Sequence, residues 1–237
     1  MENGMSGAAI AIQVPGAGTP PPQSGRASRP VRPRHFALAL VAFLLVGNLG
    51  IAGASAWARS STDAGPLPAE GIKNFRTVDG RLWRGAAPSE RGYRWLAAQG
   101  VRTVVDLRAE RDLDVDYGLL NSLGLELVVL PMRDGQAPTP EQAERFLHAV
   151  GASPGIVFAH CGAGVGRTGT MVATYLKTIG AADGWDAVRG NLAVGPPSVE
   201  QIAYAAGVKA GPAEPLLVAA SRVLDAPRRL WTRIRPS

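Results

Sequence analysis

The chain has 237 residues, a formal net charge of +6 and 46% hydrophobic side chains, room for one domain of ordinary size plus appendages. Residues 1–35 carry four Arg against one Glu and residues 222–237 five Arg against one Asp, while residues 59–221 hold 16 basic and 17 acidic side chains. The excess charge thus belongs to the ends, which argues against a nucleic-acid partner. One Cys excludes an internal disulfide, and three scattered His, at 35, 148 and 160, form no zinc constellation.

Residues 1–35, rich in Gly, Pro, Ala and Ser without an apolar period, read as a disordered basic N-terminus. Residues 36–58 are next. Phe36 to Trp57 contains no charge and is long enough to cross ~30 Å of hydrocarbon as a helix. It reads as a transmembrane anchor or a signal peptide, with Ala54-Ser55-Ala56 or Ala56-Trp57-Ala58 as cleavage motifs. The long N-terminal region favours the anchor. Four Arg and a His precede the segment and only Arg59 lies just beyond it. The positive-inside rule then gives a single-pass membrane protein with a cytoplasmic N-terminus and the body on the exterior or periplasmic side. Export after signal-peptide cleavage is the alternative. Residues 59–71, with Pro66 and Pro68, read as a linker.

The body, residues 72–210, alternates strand and helix. Arg76-Thr77-Val78 and Arg81-Leu82-Trp83 flank Asp79-Gly80, a hairpin signal. Ser89 caps a helix to Gln99 that stops at Gly100. Val101 to Leu107 is an apolar strand, followed by a helix through Leu123; Asp106 beside Arg108 reads as a pair tying the sheet edge to nearby loops. Asp112, Asp114 and Asp116 read as a solvated helix face and not as metal ligands. Leu125 to Leu130 is a second strand. Thr139-Pro140-Glu141-Gln142 is a capping box that starts a helix to about Gly151. Ile156 to His160 is a third apolar strand, Thr168 to Ile179 a helix, and Ser198-Val199-Glu200-Gln201 a second capping box. The class is α/β, a central mostly parallel sheet flanked by helices, with an N-terminal transmembrane helix. Residues 211–237 read as a basic tail, amphipathic and helical, suited to an anionic membrane surface or to packing on the domain.

The chemistry concentrates in His160-Cys161-Gly162-Ala163-Gly164-Val165-Gly166-Arg167-Thr168. A strand ending in a Gly-rich turn that opens a helix converges backbone N–H groups and a helix dipole on one point, a cradle for an oxyanion. Those donors and a nearby guanidinium also stabilise a negative sulfur, which makes Cys161 a nucleophile. Arg167 can grip two oxygens of a phosphoryl group. Gly162, Gly164 and Gly166 let N–H groups line the cradle together with Ala163 and Val165. Thr168 can donate its hydroxyl to the sulfur, and His160 orients the loop.

Cys161 to Thr168 resembles the Cys-x5-Arg-Ser/Thr signature of the protein tyrosine phosphatase superfamily, in its compact dual-specificity branch. Arg81 to Ser89, Val104 to Arg108 and Pro131 to Gly135 are similar to further segments of that branch. The resemblance covers roughly Ile72 to Val208 and implies the cysteine-based phosphatase fold. It implies a phosphocysteine mechanism with no metal and no cofactor. Arg133-Asp134-Gly135-Gln136-Ala137-Pro138-Thr139 resembles the loop that carries the general acid, which assigns proton donation to Asp134, 27 residues before Cys161. Gln201 either positions the hydrolytic water, as a glutamine does in some relatives, or serves its capping box.

The expected partners are a phosphorylated protein (phosphotyrosine, phosphoserine or phosphothreonine) and the membrane, through residues 36–57. A phosphoinositide or phospholipid is the alternative substrate. The competing classes are a non-catalytic phosphate-binding module and a rhodanese-like sulfur transferase. Nothing in the sequence sets an oligomeric state.

Overall fold

A computed structural model of the chain describes residues 33–61, 69–110, 116–207 and 214–234. The expected disordered N-terminus, the prolines of the linker, and Asp112 and Asp114 lie outside the described residues.

Five strands, β1 (Arg76–Thr77), β2 (Leu82–Ala86), β3 (Val101–Arg108), β4 (Glu126–Met132) and β5 (Ile156–Cys161), form one sheet in the order β1-β2-β5-β3-β4. The β1–β2 hairpin is antiparallel and the remaining pairs are parallel. Helices cover both faces, so β5 must be apolar on both sides. Val157 and Ala159 point into one core with Phe146, Met171 and Tyr175, from α4 (Pro140–Ala152) and α5 (Gly166–Thr178). Phe158 points into the opposite core, with Tyr93 and Leu96 of α2 (Glu90–Ala98) and Leu119 and Leu120 of α3 (Tyr117–Ser122).

The caps explain where the helices start. Ser89 accepts from Gly92 N–H at 3.3 Å, and Thr139 makes a reciprocal capping box with Gln142 behind Pro140. Two boundaries differ from expectation, and one helix is additional. α3 does not continue from the end of β3 but starts at Tyr117, with Asp116 as its N-cap. α5 begins at Gly166, two residues early, so Arg167 and Thr168 sit in its first turn. A further helix, α6 (Gly184–Leu192), is capped by Asp183, whose carboxylate accepts from Asp186 N–H at 2.8 Å.

Asp106 also needs correction. β3 is an interior strand, so the residue stands at the end of a central strand and not at a sheet edge. It is fully buried and paired in register with His160. Arg108 grips it through Nε at 3.0 Å and Nη2 at 2.7 Å. Burial alone would raise its carboxyl, but the Arg108 hydrogen bonds hold it below the ordinary value.

α7 (Val199–Ala205) carries the second capping box, and α8 (Pro215–Ile234) packs on α7. The apolar helix α1 (Pro33–Ser60) contacts α6 and α8 with its C-terminal half. Arg34–Ser60 is long and apolar enough to cross a membrane, a property shared by signal sequences and by some core helices.

Candidate functional site

β5 delivers Cys161 at its last position, and the loop 162–165 turns at once into α5. The parallel register with β2 pairs Gly85 with His160 and Ala86 with Cys161, so the end of β2 lies alongside the loop. Gly164 has φ +71°, and a Cβ there would collide with the Gly85 carbonyl; only glycine fits this approach.

Four consecutive loop carbonyls are held from behind. Gly162 O accepts from Ala87 N–H at 3.1 Å and Ala163 O from Asn74 Nδ2 at 2.9 Å. Arg84 Nη2 donates to Gly164 O at 2.8 Å and to Val165 O at 3.3 Å. A trans peptide points its C=O and N–H in opposite directions, so fixing carbonyls on the outside turns N–H groups inward. Arg84 is buried, and that burial lowers its guanidinium to about 10, partly offset by the attraction of Cys161. It remains a cation beneath the cradle.

Arg167, also buried, reaches the same cavity. Its Nη1 donates to Glu110 Oε2 at 2.9 Å and to Met132 O at 3.1 Å, and its Nε lies 3.6 Å from Asp134 Oδ1. Burial opposes the charge, but the Glu110 hydrogen bond and the neighbouring Cys161 and Asp134 raise the guanidinium above its ordinary value. Glu110 is correspondingly lowered: Arg167 outweighs the cost of its partial burial. Asp134 follows β4 on a turn in which Gly135 has φ +76° and Gln136 N–H donates to Arg133 O at 3.2 Å. Cys161, Arg167, Asp134, Gln201 and Asp225 line one cavity of about 270 Å³.

The remaining expected residues fall as follows. His160 is wholly buried, with Nδ1 3.4 Å from Cys161 O and 3.9 Å from Asp106 Oδ1. Both neighbours are acceptors, which assigns the ring proton to Nδ1. Burial lowers the imidazole to about 4 against the pull of Asp106, so near neutral pH it is uncharged and the Asp106 contact is no ion pair. Thr168 Oγ1 is buried without a hydrogen-bond partner, so the expected bond to the sulfur is not formed. Gln201 Oε1 accepts from Ser198 N–H at 3.0 Å and its Nε2 donates to Gln136 O at 3.2 Å, leaving one amide N–H for a water. Gly166 faces this amide closely enough that a Cβ would meet it. Asn74, Arg84 and Glu110 were given no role from sequence. Only Arg84 carries a signal, through its place in the Arg81 to Ser89 segment that is similar to the dual-specificity branch.

Residues 69–206 match the family described as "PTP-NADK: DSP-PTPase phosphatase fused to NAD+ Kinase". The chain belongs to this phosphatase family. Among curated relatives, "Probable NAD kinase 2, chloroplastic" of Oryza sativa subsp. japonica is 38% identical over 109 residues, 43% of this chain and 11% of that protein. "Tyrosine-protein phosphatase cdc-14" of Caenorhabditis elegans is 34% identical over 90 residues, 36% of this chain and 12% of that protein. The matched parts thus span only about a tenth of these relatives' length. The fold is shared with P. aeruginosa TpbA (TM-score 0.53, 22% identity, 68% of this chain and 98% of that one). It is shared too with the catalytic domain of the PP-IP phosphatase SIW14 from S. cerevisiae (TM-score 0.51, 15% identity, 70% and 96%).

Proposed function

We propose that the chain is a phosphomonoester hydrolase of the cysteine-dependent dual-specificity type, acting through a phosphocysteine intermediate. The observation that carries this reading is the ring of outward-pinned carbonyls around Cys161, with Arg167 bridged between Glu110 and Asp134 across one cavity. The Cys161 sulfur attacks phosphorus, the S–P bond forms, and the P–O bond to the leaving group breaks. Asp134 gives its proton to the departing oxygen. In the second step Asp134 takes a proton from water, whose oxygen attacks phosphorus and releases the thiolate. Loop N–H groups and Arg167 neutralise the equatorial oxygens in both steps, so the mechanism does not require a metal. Thr168 is assigned to the leaving sulfur once its hydroxyl rotates, and His160 to loop orientation.

The substrate assigned is a phosphorylated protein. The apolar α1, docked on the domain, favours a second reading with the same chemistry, a phospholipid or phosphoinositide monoester. We assign α1 as a single-pass anchor with the catalytic domain on the exterior or periplasmic side. The test is p-nitrophenyl phosphate hydrolysis by the full chain in detergent and EDTA. Turnover abolished by Cys161→Ser and reduced by Asp134→Asn is expected. No turnover from the folded, reduced protein would favour a phosphate-binding module.

A further inference from the structure

The side chain of Asp134 is 64% exposed, yet a proton donor must be held within hydrogen-bond reach of the leaving oxygen. The bonds that hold the following residues come from the first turn of α7. Ser198 Oγ donates to Gly135 O at 2.7 Å, Gln201 Nε2 to Gln136 O at 3.2 Å, and Ala137 N–H to Glu200 Oε1 at 3.0 Å. Three successive loop residues are thus each tied to one helix start.

That helix start is itself completed from elsewhere. The capping box satisfies the N–H groups of Ser198 and Gln201. The N–H of Glu200, one of the groups a helix leaves without an internal partner, donates instead to Ser221 Oγ of α8 at 3.2 Å. Ser221 passes its own proton on to Asp225 Oδ2 at 3.0 Å. Glu200, Ser221 and Asp225 are all buried, between 1 and 3% exposed. Two buried carboxyls and a hydroxyl are a costly way to dock a helix whose inner face also offers Leu217, Val218 and Leu224. A purely apolar seam would hold α8 at least as well, so the polar chain calls for another explanation. Asp225 also lines the cavity that holds Cys161 and Asp134. The family match ends at residue 206, so α8 lies beyond it.

We propose that α8 is a positioning element for proton donation: Ser221, held by Asp225, fixes Glu200, and Glu200 fixes the Asp134 loop. The proposal rests on Asp134 being the general acid. Losing the Ser221 hydroxyl frees the Glu200 N–H and loosens the α7 turn to which the loop is tied. The Cys161 cradle, held by Arg84, Asn74 and Ala87, is untouched. In the first step the defect is therefore selective for substrates whose leaving group needs a proton, while the second step, common to all substrates, slows alike for each.

The experiment compares the full chain in detergent with Ser221→Ala, Ser221→Thr, Glu200→Ala and Glu200→Gln, on p-nitrophenyl phosphate and phenyl phosphate. p-Nitrophenolate departs with little assistance, whereas phenolate needs the acid. Ser221→Ala is expected to lower kcat/KM on phenyl phosphate, which reports the first step alone, about 10- to 100-fold, with kcat/KM on the nitrophenyl ester within about threefold. Ser221→Thr keeps the hydroxyl and Glu200→Gln keeps an acceptor for Ala137 N–H, so both restore the ratio of the two rates. That ratio does not depend on the folded fraction, which keeps Glu200→Ala readable if it is unstable. Equal loss of kcat/KM on both esters, or no loss on either, overturns the proposal. Asp134→Asn run alongside separates the two failures: if it does not discriminate between the esters, the acid assignment falls and this inference falls with it.

Discussion

Burial of His160 makes the stability of the protein depend on pH in a window that can be worked out. The imidazole is wholly buried and held down at about 4, whereas an unfolded histidine titrates near 6.5. Between those values the unfolded chain binds a proton that the native chain refuses. Stability from this residue is therefore complete above pH 6.5 and is lost as pH falls towards 4. Between pH 7.5 and 4.5 the loss is roughly 2.5 kcal/mol, or about 5–10 °C in Tm for a chain of this size. Asp106, whose carboxyl is lowered, loses its contribution only below its unfolded value of 3.8 and stays outside the window. The assay is thermal unfolding of the full chain in detergent at pH 7.5, 6, 5 and 4.5, beside His160→Gln. The wild type is expected to lose about 5–10 °C more than the variant across the series. Parallel curves, or a His160 ring that titrates near its unfolded value by NMR, would refute the reasoning.

Gly164→Ala puts a Cβ against the Gly85 carbonyl at φ +71°. It should cost roughly 1–3 kcal/mol in unfolding and about 100-fold or more in kcat, and near-normal turnover would show that the loop does not need this approach. Arg84→Met removes the buried donor to Gly164 O and Val165 O. Alkylation of Cys161 by iodoacetamide at neutral pH should slow about tenfold, the weight of one lost charge-assisted hydrogen bond; an unchanged rate would remove Arg84 from the cradle.

What could be read from the chain divides along sequence distance. Cys161, the glycines and Arg167 are legible because the cradle is local: a strand end, a tight turn and a helix start within nine residues. Its outer supports are not local. Asn74 and Arg84 reach the loop from 89 and 80 residues away because β2 lies next to β5 in the sheet, and a strand order is not written in apolar periodicity. The same gap misplaced Asp106, which only the order β5-β3-β4 puts inside the sheet. Glu110 lies just past the end of β3, and its tie to Arg167 spans 57 residues. α6 carries no reading from sequence: Gly184, Gly190 and Asn191 are weak helix formers, and Asn191 is buried close against Gly169 of α5. Both capping boxes were legible, but the partner for the N–H of Glu200 comes from α8, beyond any local pattern.

The apolar helix α1 poses a geometric conflict that yields a test of the membrane assignment. Leu44, Gly47, Asn48, Ile51, Ala54, Ser55 and Ala58 form a half-buried to buried stripe at helical spacing, while Phe36, Phe43, Val46, Leu49 and Trp57 stay exposed. The stripe meets α8 at Leu224: Asn48 Nδ2 donates to Leu224 O at 2.9 Å, and a Cβ on Gly47 would lie 2.6 Å from Leu224 Cδ2. The next residue is Asp225, on the wall of the Cys161 cavity. At ~1.5 Å per residue, the stretch 34–43 beyond this stripe reaches only about 15 Å, half the hydrocarbon thickness. A full crossing needs about 20 residues, and residues 36–55 would then draw Leu224 and the cavity wall into the hydrocarbon, where a phosphate dianion cannot go. Docking and crossing are therefore alternatives, and a spanning α1 must peel away from α8. In a Cys161→Ser background, Gly47→Cys with Leu224→Cys should form a disulfide readily in mild detergent and at least about tenfold less after reconstitution into bilayers. A disulfide that forms equally well in bilayers would mean that α1 stays docked, and the single-pass assignment of residues 36–57 would fall.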